Sequence, residues 1–261
     1  MVCPYCESQD TFKKGTSRKG AQRYECKACE RRFNDLTDTI FAEHKLSIPE
    51  MFYIIGGMET KSTAQLTREL DRTYKTVLEF VHEVQEAVGT DEFVLSGIVE
   101  ADEVYVTAGE KGEQQDEPRD RGLIKGRGTF DGDKPPVLTL VRRDTGEVRF
   151  LVCETLENAD KAIASRGDES VILCTDQYRI YDGIDEYDCI DGHLAINHGD
   201  HFVVGDAHTN GCENRHSFLR QWLGKFRGVS KHRLQGYLDF LSLLVNTDAW
   251  FDQLLGRECY T

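Results

Sequence analysis

The central part of the chain begins with residues 93–107, whose sequence is FVLSGIVEADEVYVT. β-Branched and aromatic residues dominate this stretch, which predicts a β-strand. Asp102 lies among its apolar residues, where a carboxylate has no packing role. Because side chains alternate in direction along a strand, Glu100 shares the face of Asp102, whereas Glu103 points to the other face. Asp102 is therefore a candidate metal ligand, and Glu100 is the competing ligand.

The residues around this strand predict a mixed α/β domain over residues 91–261. A Gly-rich, charged segment, residues 108–135, is interpreted as a surface insertion. The pattern then predicts a hairpin that turns at Asp144-Thr145-Gly146. Further elements follow at residues 136–143 and 147–153 (strands), 156–165 (helix), 171–174 (strand), 178–187 (short helix or loop), 190–198 (strand) and 211–222 (helix). This order of elements matches a ribonuclease-H-like core.

Three carboxylates stand where such a core could use them. Asp102 lies in the first strand, Asp176 closes the fourth strand, and Glu213 begins the last predicted helix. Mg²⁺ and Mn²⁺ prefer oxygen ligands, and two such ions about 4 Å apart can clamp both oxygens of a phosphoryl transfer. The chain has 46 acidic residues, so spacing alone does not single out this trio.

Two C-x-x-C pairs near the N-terminus predict a zinc ribbon over residues 1–36. The pairs are Cys3-Pro-Tyr-Cys6 and Cys26-Lys-Ala-Cys29, and their spacing is typical of a four-cysteine zinc site. A disulfide or a redox pair is the alternative. Four thiolates leave no open coordination position, so the zinc would be structural. The other cysteines show no ligand spacing and are expected to be small buried side chains: Cys153, Cys174, Cys189, Cys212 and Cys259.

Residues 37–90 have helical periodicity and predict a helix-turn-helix-like segment. Ser47 is a candidate N-cap of the first helix, which ends at Gly56-Gly57, and Ser62 with Gln65 forms a predicted capping box. A short helix, a tight turn and a longer helix suit DNA binding through the second helix of the motif. Arg72, Tyr74 and Lys75 lie near its start. An ordinary three-helix packing module is the alternative.

The overall composition argues against a polybasic nucleic-acid binder. The chain has 261 residues, 32 Lys and Arg, 46 Asp and Glu, and a net charge of −14. Residues 91–213 carry 28 acidic and 12 basic side chains, whereas residues 214–238 contain six Lys or Arg and no acid. No apolar run approaches the roughly 20 residues that cross a bilayer, and the N-terminus does not resemble a signal sequence. We therefore expect a soluble, cytoplasmic protein.

Several motifs together resemble the zinc-ribbon insertion-sequence transposases of the DDE superfamily. They are DEVY at 102–105, GRGT at 126–129, TDQYRIY at 175–181, NH at 197–198, HTNGCEN at 208–214, GVSKH at 228–232 and LQGYL at 234–238. The resemblance covers roughly residues 3 to 247 and implies a ribonuclease-H-like catalytic domain. By position it makes Asp102 and Asp176 the catalytic aspartates, with Glu213 or Asn210 as the third ligand. Glu213 is favoured because a carboxylate suits a metal better.

The resemblance also has two departures. Arg220 stands where the family usually has a lysine, and Arg keeps the charge without the point-charge geometry. Arg215-His216 replaces the family's usual aromatic residue after Glu-Asn.

The activity that the resemblance implies is metal-dependent DNA cleavage and strand transfer at the terminal repeats of the element, with Mg²⁺ or Mn²⁺. Near the site, phosphate contacts are expected from Arg215, Arg220, Lys225 and Arg227. Two DNA ends must be held together, so a homo-oligomer on DNA is expected. A DNA-binding regulator with an inactive nuclease-like domain and a repair nuclease are the alternatives. The acidic middle suggests a salt-rich cytoplasm, such as that of a halophilic microbe.

Overall fold

The computed structural model describes residues 1–17, 19–89, 93–110, 127–176, 178–196 and 209–258. Within that part of the chain, no helix combines the length and the hydropathy that a membrane crossing requires. Most of the predicted surface insertion and several motif positions lie outside the described residues: Gly126, Gln177, Asn197, His198 and His208. The chain divides into two compact units, residues 1–87 with 249–261, and residues 88–248.

The N-terminal part is a small antiparallel sheet built around the four paired cysteines. Its strands are β1 (Thr11–Thr16), β2 (Gln22–Cys26) and β3 (Arg32–Asn34), in the order β1-β2-β3. Tyr24 and Phe33 are directly opposite on β2 and β3, and their rings stack with centroids 5.3 Å apart. Apart from these rings, the described core of the sheet consists largely of cysteine side chains. So small a core is typical of a module that a metal holds together.

Three helices follow, α1 (Ile48–Gly57), α2 (Thr63–Leu70) and α3 (Tyr74–Val88). Ser47 caps α1 in a complete capping box with Glu50, as its sequence predicts. At α2 the box is only half formed. The Ser62 hydroxyl accepts from the Gln65 N–H, but the Gln65 side chain donates to Glu69 instead. Asp71 ends α2 in the left-handed conformation, with φ of 51°, and so makes the tight turn before α3.

The apolar faces of these helices form the core of the first unit. They contribute the buried side chains Met51, Ile54, Ile55, Leu66, Val77, Phe80, Val81 and Val84. A C-terminal helix, α7 (Trp250–Glu258), belongs to the same unit, and the Phe251 ring lies 6.0 Å from that of Phe52. The domain predicted from the sequence at 91–261 includes this segment.

The second unit is built on a five-stranded sheet. Its strands are β4 (Leu95–Tyr105), β5 (Pro136–Arg142), β6 (Val148–Val152), β7 (Gly167–Asp176) and β8 (Ile190–Ile196). They lie in the order β6-β5-β4-β7-β8, with β4 in the middle. β4, β5 and β6 are antiparallel neighbours, whereas β7 runs parallel to β4 and β8 runs parallel to β7. The predicted mixed α/β fold is confirmed.

Further helices belong to this unit, α4 (Ala159–Ala164), α5 (Asn210–Gly224) and α6 (Leu234–Asn246). One face of β4, β5 and β7 packs with α4 in a core that includes Val99, Ala101, Leu173, Ile163 and Tyr181. α4 is shorter than predicted, and the segment predicted as a short helix or loop contains two single-turn 3-10 helices, Arg179–Tyr181 and Ile184–Glu186. The hairpin turns where expected, with Gly146 at a φ of 74°.

Side chains of α6 hydrogen-bond to the outer edge of β6. Gln235 accepts from the Val152 N–H at 2.8 Å and donates to the Phe150 carbonyl at 2.9 Å. Asn246 accepts from the Val148 N–H at 2.8 Å and donates to the carbonyl of the same residue at 3.0 Å. The helix therefore satisfies backbone groups that a terminal strand would otherwise leave to solvent.

Candidate active site

Asp102 and Asp176 lie next to each other at the centre of the sheet. The last paired residues of the parallel strands β4 and β7 are Glu100 and Cys174, and each strand continues two residues further to its aspartate. Laterally paired residues of neighbouring strands share a face, so the two carboxylates face the same side. Both also act electrostatically on Glu103 and Tyr181. The structure thus brings together the two aspartates that the sequence singled out.

Glu103 is a third carboxylate in this cluster, and sequence reasoning gave it no role. Its side chain is only 6% exposed, accepts a 3.4 Å hydrogen bond from the Tyr181 hydroxyl and lies 3.9 Å from the Arg127 guanidinium. Burial, together with the negative charges of Asp176 and Asp102, raises the pKa of Glu103 to about 7. Glu103 follows Asp102 directly and therefore points to the other face of the sheet, as expected. Its carboxylate nevertheless interacts electrostatically with both aspartates. The available signal was a second acid next to Asp102 within a largely apolar strand.

Glu100, the competing metal ligand, is held by hydrogen bonds within the protein. It is 2% exposed and accepts a 3.0 Å hydrogen bond from the Arg143 guanidinium. Its second oxygen accepts from the N–H groups of Gly211 and Cys212, at 2.7 and 3.4 Å. A carboxylate at a helix N-terminus satisfies free N–H groups and complements the helix dipole. Glu100 therefore attaches the first turn of α5 to β4.

Asn210 and Glu213, the alternative third ligands, both lie in the first turn of α5 and are exposed. Among the residues that the structure describes, no hydrogen bond or ion pair joins either side chain to Asp102 or Asp176. Glu213 acts electrostatically on the buried Cys212 thiol, on which Asp102 acts more strongly. The first turn of α5 is thus near the aspartates, and the choice between Asn210 and Glu213 stays a prediction.

His216, one turn after Glu213, is the α5 side chain that contacts the cluster. Its Nδ1 lies 3.7 Å from Asp102 Oδ2, and its Nε2 lies 2.9 Å from the Thr139 hydroxyl. Burial, aided by the positive charge of Arg220, lowers the pKa of His216 to about 4. Sequence reasoning noted His216 only as a departure from the family pattern.

The four N-terminal cysteines form a compact thiol cluster. Their sulfur atoms all lie within 4.8 Å of one another, and the pairs Cys3–Cys29 and Cys6–Cys26 are each 3.6 Å apart. Sulfurs about 2.3 Å from a tetrahedral zinc ion are about 3.8 Å apart, so the donor set fits the metal. Backbone N–H groups of Cys29 and Ala28 lower the pKa of Cys26 to about 7, whereas hydrogen bonds with the neighbouring thiols and burial raise the pKa of Cys6 to about 12. The cysteines can hold a metal such as zinc.

Comparison with known families identifies the chain. Residues 94–242 match the ISXO2-like transposase domain. The chain belongs to this transposase family. It is 40% identical over 245 residues to a protein of the transposable element ISH50 from Halobacterium salinarum. This alignment covers 91% of the present chain and 83% of that protein. A transposase-like protein from Haemophilus influenzae is 34% identical over 67 residues, or 26% of this chain and 53% of that protein. The chain is a DNA transposase.

Solved structures give only a weak likeness. A chain of the simian T-cell lymphotropic virus intasome in complex with PP2A regulatory subunit B56 gamma has a TM-score of 0.36 and 13% identity, over 73% of this chain and 66% of that one. The Mos1 strand transfer complex has a TM-score of 0.29 and 10% identity, over 81% and 78%.

The basic residues predicted near the transposase site have different environments. Arg215 is partly buried and donates a 2.8 Å hydrogen bond to the Gly146 carbonyl, which ties α5 to the hairpin. Arg220 is exposed, and the Lys225 ammonium lies 4.3 Å from the centre of the Trp222 ring. Arg227 is exposed as well. Arg220, Lys225 and Arg227 keep access to solvent, whereas Arg215 has a backbone partner.

The two basic residues predicted for the helical segment differ in the same way. The Arg72 guanidinium binds the Glu50 carboxylate through two contacts of 2.7 and 3.2 Å. The Lys75 side chain is 85% exposed and lies 3.7 Å from Glu79, one turn later on α3. Lys75 is thus available to an external partner, whereas Arg72 joins the start of α1 to the turn before α3.

Proposed function

We propose that this transposase cuts DNA at the ends of its mobile element and joins the cut strand to a target, using a ribonuclease-H-like DDE domain over residues 91–261. The observation that carries the proposal is the side-by-side position of Asp102 and Asp176 on β4 and β7. Three antiparallel strands, followed by two that run parallel to the first, are the sheet expected of such a domain. Carboxylates on neighbouring strands that face one side of the sheet are suited to hold divalent ions.

The proposed ligands are Asp102, Asp176 and Glu213, with Asn210 as the alternative to Glu213. When bound, Mg²⁺ or Mn²⁺ would activate the attacking oxygen and stabilise the leaving oxygen of the phosphodiester. The two aspartates would contribute fixed oxygens from the centre of the sheet. Glu100 would keep the first turn of α5, with its third ligand, against β4. Asp102, Asp176 and the third ligand would act without forming a covalent bond to DNA.

The DNA would be held by the basic residues around this site and by the N-terminal segments. Arg220, Lys225 and Arg227 would contact phosphates, and Arg215 would align α5 with the hairpin while its charge adds to the same field. The ribbon at 1–36 and the helix-turn-helix-like segment at 37–90 would bind the terminal repeats. Lys75 would face the DNA from the first turn of α3, and Arg72 would fix that turn. Two ends must be processed together, so the active form would be a homo-oligomer.

Zinc is the metal proposed for Cys3, Cys6, Cys26 and Cys29, since four thiolates in tetrahedral reach are its usual structural site. Such an ion would supply folding energy to a module with little core of its own. It would have no role in cleavage, because no coordination position stays open.

Cleavage and end binding of substituted proteins test the proposal. Asp102→Ala and Asp176→Ala should each abolish Mg²⁺-dependent cleavage of a DNA end while the affinity for that end survives. Asp188→Ala, an exposed acid, is the control and should cleave normally. Comparing Glu213→Ala with Asn210→Ala identifies the third ligand. Full cleavage by either aspartate variant would refute the site, and cleavage without end preference or strand joining would indicate a repair nuclease instead.

A further inference from the structure

A row of three side chains crosses the site from β5 to α5 to β4. Thr139 is directly opposite Asp102 in the β4–β5 ladder. The His216 ring lies between them. Its Nε2 is at hydrogen-bond distance from the Thr139 hydroxyl, 2.9 Å, and its Nδ1 is 3.7 Å from Asp102 Oδ2, an electrostatic contact longer than a hydrogen bond. Thr139 is fully buried and His216 is 5% exposed. Each ring nitrogen of His216 therefore faces one defined neighbour.

The neighbours select one tautomer of the imidazole. A neutral histidine has one N–H donor and one bare nitrogen acceptor. If Nε2 carried the proton, the lone pair of Nδ1 would face a carboxylate oxygen, which is repulsive. If Nδ1 carries it, the N–H faces Asp102 and Nε2 accepts from the Thr139 hydroxyl, which can serve as donor or acceptor. The row then has a single direction, from Thr139 through His216 to Asp102.

We propose that His216 is a positioning residue that orients the Asp102 carboxylate for metal binding through its Nδ1–H. The inference rests on the proposed role of Asp102 as a metal ligand. A carboxylate that binds a metal with one oxygen leaves the other to outer-shell donors, and such donors fix its orientation. His216 is suited to this because α5 carries it, and Glu100 holds the start of α5 on the strand that bears Asp102.

The tautomer can be measured on the metal-free catalytic site, with zinc left in the ribbon. Long-range ¹⁵N correlation spectra of histidine-labelled protein report which ring nitrogen carries the proton. The signals of His216 are assigned by their loss in His216→Asn, and they should show a protonated Nδ1 and a bare Nε2. Thr139→Val removes the hydroxyl donor and should shift this balance, whereas Thr139→Ser should keep it. An Nε2-protonated His216 in the unaltered protein would overturn the inference.

Manganese binding separates the inference from the proposed function. An Asn side chain places its amide N–H near the position of Nδ1, whereas a Gln side chain places it near the position of Nε2. His216→Asn therefore keeps a donor toward Asp102, and His216→Gln keeps only the contact with Thr139. His216→Gln should bind Mn²⁺ about 10- to 100-fold more weakly, the usual effect of losing an outer-shell partner, and His216→Asn should restore much of the affinity. Asp102→Asn is the reference for a lost ligand.

Each outcome has one meaning once thermal melts show that the variants are folded. Weaker Mn²⁺ binding in His216→Gln and Asp102→Asn, with recovery in His216→Asn, supports the inference. Weaker binding in Asp102→Asn alone overturns it and leaves the proposed function intact. Unchanged binding in Asp102→Asn overturns the proposed function, and the role of His216 falls with it.

Discussion

Replacing Glu100 with alanine should destabilise the sheet unit by about 3–5 kcal/mol, the typical cost of removing one partner of a buried charged pair. The carboxylate accepts from Arg143, Gly211 and Cys212 and is 2% exposed. Hydrogen bonds to charged groups contribute about 1.5–3 kcal/mol each. Their sum overstates the loss, because the Arg143 side chain is 21% exposed and water can partly solvate it.

Denaturant unfolding followed by Trp222 fluorescence measures this loss, since Trp222 lies on α5 itself. The chain has two tryptophans, so a Trp250→Phe background makes the signal specific. Glu147→Ala is the matched control. Glu147 pairs with Arg142 at 3.0 Å, but its side chain is 39% exposed, and an exposed ion pair contributes at most about 1 kcal/mol.

Two results would refute the reasoning on Glu100. One is a loss in Glu100→Ala no larger than that in the Glu147→Ala control. The other is a Glu100→Gln variant of normal stability without divalent metal but with much weaker Mn²⁺ binding. That second result would restore Glu100 as a metal ligand.

Three further predictions concern the metal, pH and salt. Chelating one zinc per chain should collapse the dispersed amide signals of residues 1–36, and an unchanged spectrum after zinc loss would contradict the ribbon. The Arg72 guanidinium lowers the pKa of Glu50 from 4.5 to about 2, so this ion pair stabilises the fold above pH 4.5 and is lost as pH falls toward 2. The melting temperatures of the unaltered protein and Glu50→Gln should therefore converge on acidification, and a constant gap would exclude the pair as a cause. The net charge of −14 predicts that added KCl raises the melting temperature, and maximal stability in dilute salt would contradict a salt-adapted surface.

Local sequence signals predicted the parts of the fold that depend on neighbouring residues. Ser47 caps its helix because its partner, Glu50, is three residues away. The hairpin at Gly146 and the strand containing Asp102 follow from turn chemistry and alternation in the same way. Asp102 and Asp176 could be paired in advance only through the motifs of the transposase family, because their spacing does not single them out among 46 acidic residues.

Distant partners explain what the sequence left open. Glu100 and Asp102 share a face and a residue class, and only contacts with Arg143, 43 residues away, and Gly211, 111 residues away, separate their roles. The position of His216 beside Asp102 depends on its hydrogen bond with Thr139, which lies 77 residues earlier in the chain. Glu103 was given no role because alternation turns it to the opposite face, but its carboxylate still interacts electrostatically with Asp102 and Asp176.

The hydrogen bonds from α6 to β6 limit how copies of this transposase can assemble. A second chain could lengthen the sheet at β6 only by pairing with the outward backbone groups of that strand. Val148, Phe150 and Val152 already direct four of these groups to Gln235 and Asn246. Pairing there would break these hydrogen bonds, so contacts between two copies are expected on other surfaces.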